Sequence, residues 1–302
     1  MSHSAFRSRS ATELVDAAVQ LARRHYAPLI TLGALVAIPG VLVGVVAQLV
    51  MRGSEATAMT GALALLLFPL MLVSSCWTMV GFGAYVKAAA AAYLDGRALE
   101  PLVALRAALR HGWSLIAGNL VAGLIVGALV LVIMIVLMVV VAAIGGLLTA
   151  VARLQMGSGA AAAAGMVVGI AAMVVGAVAA LLVWSQLINV TAVIVLEGLG
   201  PMDAIRRSRE LVRGSARHTA AVLLLLVVLW LVVYGTTLLL ATLLLQRFEL
   251  ASSMAGVLTV LLYPFFGCLL TLLYYDLRIR HEGYDLELMA RALEQAPSGV
   301  PV

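Results

Sequence analysis

Charged side chains divide the chain into long apolar stretches. With histidine counted as neutral, six stretches carry no charge: residues 25–51, 56–86, 111–152, 154–196, 218–246 and 250–275. A helix needs about 20 apolar residues to cross roughly 30 Å of hydrocarbon, so each of the six can span a bilayer. Four match one helix each. The two central stretches, of 42 and 43 residues, have room for two crossings apiece, and a turn inside both would give eight spans. Between residues 121 and 144 the only breakers are Gly123 and Gly127, and between 160 and 183 they are Gly165, Gly169 and Gly176. Helices in lipid tolerate glycine. The pattern therefore predicts two long tilted helices there and six spans in all, at about 27–50, 59–86, 113–149, 160–196, 219–245 and 254–277, with eight spans as the alternative.

The fold class that follows is all-α, a polytopic membrane protein of three helical hairpins joined by short interfacial helices. Residues 1–26 form an N-terminal tail with an amphipathic helix, 27–280 the membrane domain and 281–302 a C-terminal tail. Composition agrees. Of 302 residues, 64% are apolar and 11% charged, against roughly 45–50% and 25% in a soluble domain.

Orientation follows from the arginines. Drawn as three hairpins, the chain places 16 of its 19 basic residues on one side and only Arg52, Arg153 and Arg247 on the other, which by the positive-inside rule puts both termini in the cytoplasm. The net charge of +5 is spread along membrane-adjacent segments, so it does not indicate a nucleic-acid partner. The first apolar run is too long for a cleavable signal peptide, and the first span is expected to act as its own insertion signal. A single lysine, Lys87, with heavy use of Ala, Gly, Val and Arg, points to a GC-rich bacterial genome and hence to the bacterial inner membrane.

After each hairpin the chain returns to the basic side past an acidic residue near a glycine, then enters a short amphipathic segment. The passages are Asp95-Gly96 before Pro101, Glu197-Gly198 before Pro201, and Asp276 followed by Glu282-Gly283. A fourth amphipathic stretch, residues 12–25, precedes the first span. This reads as a repeated unit of one interfacial helix and one hairpin. Gly198 suits a left-handed helix end and Pro201 the first turn of the next helix. In 202–214, Met202, Ile205 and Val212 share a face, so the helix is expected to lie on the membrane surface with that face in lipid. Arg206, Arg207 and Arg213, with Arg278 and Arg280 after the last span, are the candidates for contact with anionic headgroups or a protein partner. Topogenic anchoring is the simpler use of the same charges.

Inside the spans no Asp, Glu, Lys or Arg falls near the midplane, where ion-coupled transporters and proton pumps usually carry one. The polar side chains there are chiefly Asn119, Ser185, Gln186 and Asn189. Asn119 and Asn189 lie at similar depth, and a cluster of Asn119, Gln186 and Asn189 would serve interhelical hydrogen bonding or a headgroup pocket. Pro39, Pro69 and Pro264 each fall within a span and are expected to kink it. The small-residue run 157–165 allows close helix approach, against the third span or in a homo-oligomer.

No catalytic motif is present: no His-Glu-x-x-His, Gly-x-Ser-x-Gly, phosphate loop or Cys-x-x-Cys. Cys76 and Cys268 sit within spans as packing residues. The five histidines share the basic side, without the carboxylate partners of a metal site at ligand spacing. No metal, cofactor or enzyme activity is expected.

Two segments resemble a known family: Val193 to Gly214, containing Leu196-Glu197-Gly198-Leu199-Gly200-Pro201-Met202-Asp203-Ala204, and Leu273 to Leu286, containing Tyr274-Tyr275-Asp276-Leu277-Arg278. Over residues 190–290 the chain resembles the membrane domain of bacterial glycerophosphoryl diester phosphodiesterases. In the fused enzymes of that family hydrolysis belongs to a separate soluble barrel, for which this chain has neither room nor motif. The resemblance thus implies a stand-alone membrane module without phosphodiesterase activity. The function expected is a non-catalytic scaffold or anchor for a partner, the alternative being a permease for lipid or a small molecule.

Overall fold

The computed structural model describes residues 9–52, 58–97, 100–146, 150, 158–246 and 248–284. These form α1 (Ala11–Arg24), α2 (Tyr26–Arg52), α3 (Ala58–Leu94), α4 (Pro101–Leu109), α5 (Gly112–Val140, continued by a π turn, Val141–Gly145), α6 (Ser158–Ser185), α7 (Val190–Glu197), α8 (Pro201–Val212), α9 (Ala216–Leu245), α10 (Phe248–Thr259) and, past a 3-10 turn (Val260–Leu262), α11 (Tyr263–Glu282). The fold is all-α. Six segments are long and apolar enough to cross a membrane: Tyr26–Gln48, Leu67–Leu94, Gly112–Ala143, Gly165–Glu197, Ala216–Leu245 and Met254–Glu282. Each long central stretch makes one crossing, as the unbroken apolar pattern predicts. The connecting stretch 153–157 and the amphipathic segment beyond Tyr284 lie outside the described residues.

Local chemistry sets the helix ends. Ser10 caps α1, accepting from the Glu13 amide at 3.3 Å while the Glu13 carboxylate accepts from the Ser10 amide at 3.1 Å, which satisfies two of the otherwise free first-turn donors. Proline opens α4 and α8. Pro39 and Pro69 lie inside α2 and α3. Pro264 instead falls in the first turn of α11, where a missing amide costs nothing. The sixth span is therefore broken at the 3-10 turn and not bent at the proline.

The last helix among the described residues is the central post. α11 packs against α1, α2, α3, α7 and α8, and Cys268, Leu269, Leu273 and Leu277 on it are all but fully buried. Glycines allow this closeness. A Cβ on Gly267 would lie 2.7 Å from Tyr85 Cβ, one on Gly81 would lie 2.4 Å from a Val36 methyl, and one on Gly118 would lie 2.6 Å from Ile194 Cδ1. The core thus sits toward the end of the bundle that carries the arginines. Toward the other end α5, α6 and α9 present apolar side chains outward, among them Met138 at 66% and Leu244 at 83% exposure, which only a hydrocarbon solvent accommodates over so large an area. The protein is a multi-pass membrane protein.

The short amphipathic helices depart from expectation. Their apolar faces are closed against protein: Leu14, Ala18 and Ala22 of α1, Ala104, Leu105 and Ala108 of α4, and Ala204, Ile205, Leu211 and Val212 of α8 are buried. α1 packs on α11 and α9, α4 on α3 and α2, and α8 on α7 and α5. On the buried side alanines stand beside Leu14, Leu105, Ile205, Leu211 and Val212, while Leu102, Val103, Leu109 and Met202 face away from the bundle and stay exposed. Trp113, at the start of α5, is 82% exposed, a position that suits an aromatic side chain at a membrane interface.

Candidate functional site

Three carboxylates tie the short helices of the basic end to α11. Asp276, buried, accepts from the Arg9 backbone amide at 2.7 Å and from Arg280 Nε at 2.7 Å. His218 Nε2 of α9 lies 3.0 Å from Oδ2, the oxygen that Arg280 also reaches, an ion pair when the ring is protonated. Asp276 therefore joins the chain just before α1 to α9 and α11. Glu197, at the end of α7, accepts from the Tyr274 hydroxyl at 2.7 Å and from Arg207 Nε at 3.1 Å. Arg207 also donates to Glu282, which accepts from Arg278 Nε at 2.8 Å. Burial alone would lower the Arg207 pKa, but its hydrogen bonds to Glu282 and Glu197 outweigh this and raise it above the ordinary arginine value. Such pairs, partly desolvated and hydrogen-bonded, hold geometry better than exposed ones.

Residues 283–284, just past α11, belong to the same assembly. After the left-handed Gly283, Tyr284 turns back to stack on Tyr275 with ring centroids 5.8 Å apart. The Arg278 guanidinium lies 4.1 Å over the Tyr284 ring, a cation–π contact. Lys87 Nζ donates to the Val195 carbonyl at 3.4 Å, linking α3 to α7.

The expected arginine set therefore divides by partner. Arg207, Arg278 and Arg280 are held in internal pairs with Glu197, Glu282 and Asp276. Arg206 pairs with Asp203 at 2.7 Å, both side chains well exposed, and Arg213 is exposed. Around them Arg106, Arg110, Arg209 and Arg217 are exposed too. Outward-facing arginines thus stand on α1 (Arg23, Arg24), at α4 and α8 and at the start of α9.

The expected polar cluster also divides. Asn119 Oδ1 accepts from Thr191 Oγ1 at 2.9 Å, and its amide donates to the Leu115 carbonyl at 2.9 Å. Its interhelical partner is Thr191 in place of Asn189. Gln186 points outward, and its backbone carbonyl accepts from Ser208 Oγ at 2.9 Å. Asn189 is 1% exposed with neither amide atom hydrogen-bonded. It stands at the start of α7, where residues 186–189 form a turn that interrupts the fourth span.

Of the histidines, His111 opens α5 and places Nδ1 3.4 Å from the Ala107 carbonyl, while His281 Nε2 is 3.5 Å from Ser215 Oγ. Among the described residues no three His, Cys, Asp or Glu side chains come together as a metal site. Cys76 and Cys268 are free.

Charge counting along the sequence does not find this network, because Glu197, Asp276 and Glu282 there look like solvated loop acids. The signal present was the recurring acid–glycine pair. Set beside known proteins, the chain matches no family model, no curated protein and no solved structure.

Proposed function

We propose that the protein is a non-catalytic integral membrane protein of the bacterial inner membrane, both termini cytoplasmic, that holds a protein partner at its basic end. The observation that carries this is the division of labour among the charges. Glu197, Asp276 and Glu282 are spent on fixing α8, α9 and the residues just before α1 to the bundle, which leaves Arg106, Arg110, Arg209, Arg213 and Arg217 exposed. A pre-organised basic surface binds an acidic partner or anionic headgroups without the cost of ordering it. The resemblance over residues 190–290 to the membrane domain of glycerophosphoryl diester phosphodiesterases supports a module that acts beside a separate functional unit.

The test is a photo-crosslinking amino acid placed at Met202 or Arg213 in living cells. A discrete adduct at both positions, lost on Arg209→Glu with Arg217→Glu while the protein remains in the membrane, is expected. Adducts to lipid alone would turn the reading toward simple anchoring.

A permease for lipid or a small molecule is the second reading, and Asn189 favours it. An unpaired buried amide beside an interrupted span is what substrate sites in transporters are built from. Reconstituted protein that moves a fluorescent phospholipid between leaflets, and an Asn189→Leu variant that does not, would favour this reading over scaffolding.

A further inference from the structure

The fourth span breaks where no residue requires it. Between α6 and α7 stand Gln186, Leu187, Ile188 and Asn189, neither proline nor glycine, so the break has another cause. Two serine hydroxyls supply it. Ser185 Oγ donates to the Leu182 carbonyl at 2.8 Å, and Ser208 Oγ, on α8, donates to the Gln186 carbonyl at 2.9 Å. In a continuous helix those two carbonyls accept from the amides of Gln186 and Val190. Here the amides of Gln186, Leu187 and Val190 each turn to the carbonyl three residues back, at 3.3, 3.0 and 3.2 Å.

The break leaves polar groups unused in a dry place. The ladder of α7 begins with the Val193 amide donating to the Asn189 carbonyl, and among the described residues no backbone carbonyl accepts from the amides of Thr191 and Ala192. Both residues are buried, as is the unpaired Asn189 side chain. Buried donors without acceptors are costly. Winding 186–189 into helix gives the amides of Val190, Thr191 and Ala192 a carbonyl four residues back, and brings the Asn189 amide within reach of the Ser185 carbonyl.

The two halves of the span are held unequally. α7 packs on α3, α5 and α8 with Val190 to Val195 all buried, whereas α6 packs on α5 and α9 and leaves Met166, Ile170, Met173 and Val174 exposed. α7 is the fixed half and α6 the half free to swing.

We infer that residues 186–189 are a two-state hinge. α8 holds it open through Ser208; when that bond is released, the span winds into one continuous helix and α6 swings. The device is independent of any partner at the basic end, and it makes α8 the element that sets the balance between the two forms.

The test is the distance between spin labels at Leu109, the end of α4, and Met166 on α6, both exposed. It uses the full-length protein without Cys76 and Cys268, in vesicles of phosphatidylethanolamine and phosphatidylglycerol. Met166 stands about 30 Å along the helix from Gln186, so a change of about 20° at the break moves it by about 10 Å. One main distance and a minor second one are expected. Ser208→Ala should raise the weight of the second about fivefold, as loss of one hydrogen bond does. Asn189→Leu, which removes the amide that gains a partner on winding, should lower it. A single distance in the unaltered protein and both variants overturns the inference, as does a second distance whose weight neither substitution changes. Broadening of the distribution by both variants alike, the mark of a loosened fold, also overturns it.

Discussion

Asp276 and Asp203 show how burial decides what a carboxylate is worth. Asp276 has a side chain only 3% exposed and meets groups from three parts of the chain, whereas Asp203 is 57% exposed and pairs with Arg206 one turn away. Removing one partner from a buried pair costs about 3–5 kcal/mol, and an exposed pair contributes within about 1 kcal/mol. Asp276→Asn should therefore lower the melting temperature in detergent sharply and free the segment before α1 to proteolysis, while Asp203→Asn leaves both nearly unchanged. The two asparagines separate by the same logic. Asn119→Leu breaks the bond to Thr191 and should destabilise by about 1 kcal/mol. Asn189 has no bond to lose, so Asn189→Leu should be neutral or stabilising in the same thermal assay, because a buried amide without a partner already pays its desolvation.

At the scale of elements, the number of spans was legible because charge spacing and bilayer thickness leave few alternatives. The short helices were legible as helices too, from the amphipathic stretch at 12–25 and the prolines at 101 and 201. What they pack against was not legible. A face of Ala104, Leu105 and Ala108 reads equally as lipid-facing or protein-facing, since both are apolar, and only the closeness of the neighbouring helix distinguishes them. The repeated acid–glycine passage proves to be a shared helix ending: Gly96, Gly198 and Gly283 all take the left-handed conformation, with φ of 64°, 71° and 62°, which glycine adopts without strain. In two of the three the preceding acid, Glu197 or Glu282, reaches into the network. Pairing partners across 77 residues, as for Tyr274 and Glu197, depend on tertiary packing that local pattern does not encode. The glycines at helix contacts give a direct check. Gly267→Ala places a methyl against Tyr85, and overpacking of this kind costs about 1–3 kcal/mol. Gly123 and Gly169 meet nothing within 4 Å, so alanine there should be tolerated or slightly stabilising. Thermal denaturation of the three variants in one detergent separates the contacts that matter from those that do not.

The whole molecule is a bundle closed at one end and open at the other. At the closed end, short helices pack onto the bundle and carboxylates fasten α8 and the residues just before α1; at the open end, side chains that would drive aggregation in water face outward. This polarity makes sense only if hydrocarbon surrounds the six spans; that the arginine-bearing end lies in the cytoplasm is our proposal. The most direct measurement is labelling of single cysteines, in a background lacking Cys76 and Cys268, with a maleimide that does not cross membranes. Arg213→Cys should react only after the cells are permeabilised, and Gln246→Cys in intact cells. Reaction of Arg213→Cys in intact cells, or protection of Gln246→Cys there, would contradict the arrangement.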